Sequence, residues 1–103
     1  MRIFGLKACD TCRKAAKALD AELVDIRATP LDPDQIEAFH TEFGAALINT
    51  RSTTWRELDE AARAMDPVAL IQAHPAVMKR PVIERDGALT LGWSKDVQAR
   101  YGV

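Results

Sequence analysis

The sequence has little cysteine and no excess of charge: two cysteines among 103 residues and a formal net charge of −1. Two cysteines cannot supply the disulfide framework of a small secreted scaffold, and a chain of this length can bury a core without one. A balanced charge gives no nucleic-acid footprint, so no nucleic-acid partner is expected. Long hydrophobic runs are missing too. The longest uncharged stretch, residues 67–78, is broken by Pro75 and too short to cross a bilayer, so no membrane partner is expected either. The segment before Lys7 has no apolar signal core and no small-residue cleavage site, which points to a soluble, cytoplasmic protein. Repeats, low-complexity segments and linkers are absent, leaving a single domain over 1–103, expected to be a monomer. With 48% hydrophobic and 28% charged residues the composition is that of an ordinary globular chain.

The two cysteines stand three apart, in Cys9-Asp10-Thr11-Cys12, just after the apolar residues Ile3, Phe4 and Leu6. A helix with Cys12, Ala15, Ala16 and Leu19 on one stripe follows. A C-x-x-C at a strand-to-helix junction places the first sulfur at a helix N-terminus and the second one turn inside, the arrangement of thioredoxin-like redox proteins. In a reducing compartment such a pair is catalytic, redox-sensing or metal-binding rather than a permanent bridge. Lys7, Arg13, Lys14 and Lys17 surround it, opposed only by Asp10. Cys12 has two readings, a thiol that resolves a mixed disulfide at Cys9 or a small buried residue of the stripe. Zinc coordination by Cys9, Cys12, His40 and His74 is disfavoured because the histidines lack finger-like spacing.

Taken in order, residues 1–6 read as a strand whose Gly5 permits close backbone approach. A helix follows to about residue 20, capped by Asp10 or Thr11, and then a strand over 22–27. This makes a right-handed parallel βαβ unit. Asp32, Pro33 and Gln35 form a helix start of the capping-box type, Ile36, Phe39, His40 and Phe43 share a face, and Gly44 stops the helix. A second helical stripe, Leu58, Ala61, Ala62 and Met65, spans 54–65, and Asp66-Pro67 opens a third helix that must end before Pro75. No strand is expected in 33–74. Strands at 82–84 and 89–91 flank the hairpin dipeptide Asp86-Gly87, and Ser94 caps a last helix to about residue 100. The fold class is thus α/β, with β-α-β, a helical insertion at about 33–75, then β-β-α.

Several motifs together resemble those of the arsenate reductase (ArsC), Spx and YffB group of thioredoxin-fold proteins. They are Cys9-Asp10-Thr11-Cys12-Arg13-Lys14-Ala15, Leu47-Ile48-Asn49-Thr50-Arg51, Thr53-Thr54-Trp55-Arg56-Glu57-Leu58-Asp59, His74-Pro75, Lys79-Arg80-Pro81 and Leu91-Gly92-Trp93-Ser94. The stretch from Asn49 to Arg56 looks most like the YffB branch. The resemblance implies a thioredoxin-like fold with a mixed four-stranded sheet, a cis Pro81, and Arg80 opposite a nucleophilic Cys9. It also implies glutathione as co-substrate, with no bound cofactor or metal, and glutaredoxin as a further candidate partner.

Thiolate chemistry explains why those residue types are needed. An ordinary cysteine has a pKa of about 8.5, and lowering it by about two units takes roughly 2.7 kcal/mol. A helix N-terminus typically supplies about 0.3 to 1 kcal/mol, so a cation is wanted, with Arg80 first and Lys7 and Arg13 as lesser contributors. The catalytic set is therefore Cys9, Cys12 and Arg80, and the substrate-binding set is Lys7, Thr11, Arg13, Arg51, Pro81 and Trp93, for glutathione or another small thiol or oxyanion. In arsenate reductases three arginines hold the oxyanion. Here Cys9 matches the nucleophile, Arg80 matches one arginine, and Arg51 lies near the segment of another. Gly92-Trp93 stands at the third, which disfavours arsenate. The leading expectation is a glutathione-linked thiol oxidoreductase. Its alternatives are an Spx-like redox switch that binds RNA polymerase and an arsenate reductase.

Overall fold

Short alternating segments build the sheet. The computed structural model describes residues 1–103. In it β1 (Arg2–Gly5) pairs in parallel with β2 (Glu22–Asp25) and antiparallel with β3 (Val82–Arg85), which pairs antiparallel with β4 (Ala88–Leu91). The order β2-β1-β3-β4 is the mixed four-stranded sheet expected of a thioredoxin-like chain. Parallel neighbours need a crossover, and α1 (Asp10–Leu19) supplies it. The β3–β4 hairpin turns on Asp86 and Gly87, at φ of 51° and 81°, the left-handed pair that a two-residue turn requires.

Cross-strand partners Ile3 and Ile83 are fully buried and cluster with Ala15 of α1. Trp93 and two residues toward the C-terminus, Val97 of α6 (Lys95–Arg100) and Tyr101, pack on the same cluster. The buried Thr90 of β4 is satisfied by the Tyr101 hydroxyl at 2.7 Å. Phe4 and Val82, a second cross-strand pair, are buried on the opposite face of the sheet.

Two compact units divide the chain, the sheet unit of residues 1–29 and 80–103 and a helical unit of residues 30–79. In the helical unit α2 (Pro33–Phe43) begins with a complete capping box. Asp32 Oδ1 accepts the Gln35 N–H at 2.8 Å, and Gln35 Oε1 accepts the Asp32 N–H at 3.1 Å. The helix ends at Gly44, φ 59°, and packs against α5 (Pro67–Ala73), burying Ile36, Phe39, Leu70 and Ile71. Asp66 opens α5 by accepting the Val68 N–H at 3.1 Å. No helix is long and apolar enough to cross a membrane.

Two expectations for this unit are corrected. Residues 54–65 do not form one helix: α3 (Thr53–Glu57) and α4 (Glu60–Arg63) are separated by extended backbone at Leu58 and Asp59. Asp59 ends the continuity because its carboxylate accepts the Ala62 N–H at 2.8 Å, which demands a non-helical cap. The carbonyls of Trp55 and Arg56, which a continuous helix would bond to residues 59 and 60, are taken by the Arg63 guanidinium at 3.2 and 3.1 Å. That guanidinium also lies 5.4 Å from the Trp55 ring centroid. The helical segment is not free of extended pairing either. Ile48 bridges Met78, reinforced by Asn49 N–H to Val77 O at 2.8 Å and Lys79 N–H to Leu47 O at 2.7 Å.

Candidate functional site

From Gly5 the chain turns through residues 6–9 into α1, with the Cys9 N–H on Leu6 O at 3.0 Å. The expected cap, Asp10 or Thr11, is corrected to Cys9, whose backbone is extended (φ −84°, ψ 115°). Asp10 is the first helical residue and is held by Lys14 at 3.1 Å and Arg13 at 3.4 Å. The neutral Cys9 thiol makes no capping hydrogen bond. Ionised, it stands where a capping oxygen would, facing the orphan amides of the second and third helical residues, Thr11 and Cys12.

Partial burial pushes the Cys9 thiol up. The Cys12 thiol hydrogen bond, the Cys12 N–H, the Arg80 guanidinium and the Thr11 N–H, in that order, outweigh burial and hold Cys9 below its ordinary value. Cys12 is pushed up to about 12, first by burial and then by keeping its proton for Cys9. No disulfide joins the two cysteines. The arrangement therefore favours a thiolate on the half-buried Cys9 beside a thiol on the fully buried Cys12.

Gly5 makes room for that pair. A Cβ built there would overlap Cys12 Sγ and lie 3.0 Å from Cys12 Cβ, so only glycine lets β1 pass this close to α1.

The other sequence-predicted residues divide. Pro81 is fully buried, its peptide bond with Arg80 is cis, and its carbonyl accepts the Gly92 N–H at 2.8 Å. Lys7 and Arg13 sit beside Cys9 in the chain, yet their hydrogen bonds go to Asp25, to Asp10 and to the turn. The Lys7 N–H donates to Asp25 Oδ2 at 2.9 Å, and Arg13 Nη1 donates to the Lys7 carbonyl at 2.9 Å. Trp93 is partly buried and packs against the Ile3, Ala15 and Ile83 core. Arg51 belongs to the helical unit, not to the unit that gathers Cys9, Cys12, Arg80 and Pro81. It is exposed, with its N–H on Asn49 Oδ1 at 3.1 Å.

Asp25 escapes a sequence reading. It looks like the polar alternate of a strand, but it ends β2 opposite Gly5 and accepts three backbone N–H groups. The readable signal was an acidic residue closing a strand just before a turn. No three His, Cys, Asp or Glu side chains come close enough to hold a metal ion. His40 instead lines a hollow of about 290 Å³ within the helical unit, with Trp55, Arg63 and Leu70 on its walls.

The sequence model of the ArsC family matches residues 4–100. The chain belongs to the ArsC family. An uncharacterized protein from Haemophilus influenzae is 36% identical, covering 96% of each chain. The global transcriptional regulator Spx of Bacillus subtilis is 30% identical, covering 96% of this chain and 84% of that one. A solved YffB protein superposes with a TM-score of 0.85 at 32% identity, covering 97% of this chain and 96% of the other. The fold of this ArsC-family chain is therefore the thioredoxin-like one of the arsenate reductase-related proteins.

Proposed function

We propose that this ArsC-family protein is a thiol-dependent oxidoreductase in which Cys9 attacks a glutathione-linked or similar disulfide. The observation that carries the reading is the division between two cysteines one helical turn apart, one favoured as thiolate and the other held as thiol. Cys9 thiolate bonds to one sulfur of the substrate disulfide and the other sulfur leaves as a thiolate. Cys12, after losing its proton to solvent, attacks Cys9 Sγ, releases the second thiolate and closes a Cys9–Cys12 disulfide, which an external thiol such as glutathione reduces. Arg80 stabilises the Cys9 anion and attracts a substrate carboxylate, as a guanidinium does. Pro81 forms the wall beside it. Arsenate is disfavoured as substrate, because the position of the third arginine holds Gly92 and Trp93, neither of which offers a cation.

The test is the thiolate titration of Cys9, by alkylation rate against pH, in the parent, Cys12→Ala and Arg80→Ala proteins. A parent pKa below about 8.5 that rises in both variants is expected. An ordinary value in all three would sink the proposal.

A second reading rests on the Spx similarity: a regulator whose Cys9–Cys12 pair is a redox switch for binding RNA polymerase. Stable capture of polymerase subunits by one redox form, without turnover of disulfide substrates, would favour it.

A further inference from the structure

The turn that delivers Cys9 is fastened from a distance. Its carbonyl side is held by Arg13 Nη1 on Lys7 O at 2.9 Å, from the first turn of α1. Its amide side is held by Asp25 Oδ2 on the Lys7 N–H at 2.9 Å, from a residue 18 positions away at the end of β2. The other carboxylate oxygen, Oδ1, accepts the N–H groups of Arg27 at 2.8 Å and Ala28 at 3.1 Å. The two oxygens thus have separate duties, one local to the turn after β2 and one directed at the cysteine turn. We infer that Asp25 is a positioning residue for Cys9, setting through the Lys7 amide where Cys9 Sγ meets the first amides of α1. This rests on the reading of Cys9 as a nucleophile.

Several features support the assignment. Gly5 and Asp25 are register partners, and the Ile26 N–H on Gly5 O at 2.9 Å extends the pairing, so Asp25 stands beside the contact between Gly5 and Cys12. The Lys7 N–H is the first cause, before those of Ala28 and Arg27, that holds the Asp25 carboxyl below its usual range. The Lys7 ammonium adds a smaller attraction. Around Cys9 itself the charged or titratable groups are Cys12 and Arg80, while Asp10 is occupied by Lys14 and Arg13.

The sign of one measurement separates positioning from simple charge. Removing an anion near a thiol lowers the thiol pKa. Losing the position of Sγ over its amides raises it. Asp25→Asn keeps one oxygen, which satisfies two N–H groups if it stays on Arg27 and Ala28, and then turns an amide donor toward the Lys7 N–H. Asp25→Glu keeps the charge and moves the oxygens one methylene outward.

The experiment is the Cys9 alkylation-rate titration with iodoacetamide in the parent, Asp25→Asn and Asp25→Glu proteins, with folding checked by circular dichroism. A rise of roughly half to one pKa unit in the folded variants is expected, the equivalent of weakening about one hydrogen bond to the thiolate. An unchanged or lowered pKa overturns the inference. Should Asp25→Asn not fold, Asp25→Glu alone decides, since a pure charge effect leaves it at the parent value. The parent titration is read separately. An ordinary parent pKa defeats the nucleophile reading, whereas a lowered parent value that both variants share defeats only the role of Asp25.

Discussion

The start of α1 and the start of α2 obey different rules. In α2 an aspartate caps the helix with a reciprocal glutamine, and α3, α4, α5 and α6 likewise begin on Ser52, Asp59, Asp66 and Ser94, each accepting a backbone N–H. Only α1 begins without a side-chain cap, on a cysteine. Five helix starts use an oxygen for stability. The sixth leaves its amides to a sulfur, and the sulfur gains acidity from amides that an oxygen would have satisfied. A stabilising cap and an activated thiolate compete for the same donors, and under the proposed function the uncapped start of α1 is what leaves them to Cys9.

The contrast can be broken most severely at Gly5→Ala. A methyl overlapping Cys12 Sγ must push β1 and α1 apart, which should cost about 1 to 3 kcal/mol in urea denaturation. Combining it with Cys12→Ala should recover part of that loss, because the two sites share one contact. Full additivity of the two costs would refute the close approach.

A smaller effect comes from exchanging the two kinds of start. Asp32→Ala should lose about 0.5 to 2 kcal/mol and leave the Cys9 titration unchanged. Cys9→Ser should do the reverse, with stability kept or raised by up to about 1 kcal/mol while iodoacetamide reactivity at this position vanishes. A clear destabilisation by Cys9→Ser would show that the neutral sulfur packs better than a capping oxygen serves.

The subtlest test is the pH dependence of stability under reducing conditions. Cys9 has a depressed folded pKa, so its contribution is complete above the unfolded thiol value of about 8.5 and is lost as pH falls through its folded pKa. Cys12 has a raised one, so the unfolded chain sheds that proton first and stability declines from about 8.5 toward about 12. Urea midpoints should therefore pass through a maximum near the unfolded thiol pKa. Cys12→Ala should flatten the alkaline side and Cys9→Ser the acidic side. A parent profile identical to both variants would remove the division between the two thiols.

Much of this was readable without coordinates. Asp32 with Gln35, Asp66-Pro67, Asp86-Gly87 and Ser94 all act within three or four residues of themselves, so a linear sequence displays them. The β1–β2 unit and the β3–β4 hairpin were legible from one crossover helix and one two-residue turn, whereas the β1–β3 pairing that joins them was not. Where reading failed, a local preference lost to a contact that sequence does not display. Asp10 looked like a cap and was taken by Lys14 and Arg13, while the stripe from Leu58 to Met65 was broken by Asp59 and Arg63.

By itself, then, the sequence determined the thioredoxin-like order of elements, their turns and most of their caps, and the cysteine pair at the start of the first helix, since these depend on spacing and local hydrogen bonding. Tertiary structure decided the balance that lowers the Cys9 pKa and raises that of Cys12. Burial of Cys12 beneath Gly5, the approach of Arg80 from a segment about seventy residues downstream and the reach of Asp25 to Lys7 are all non-local, and electrostatic balance depends on distances that residue order alone does not set.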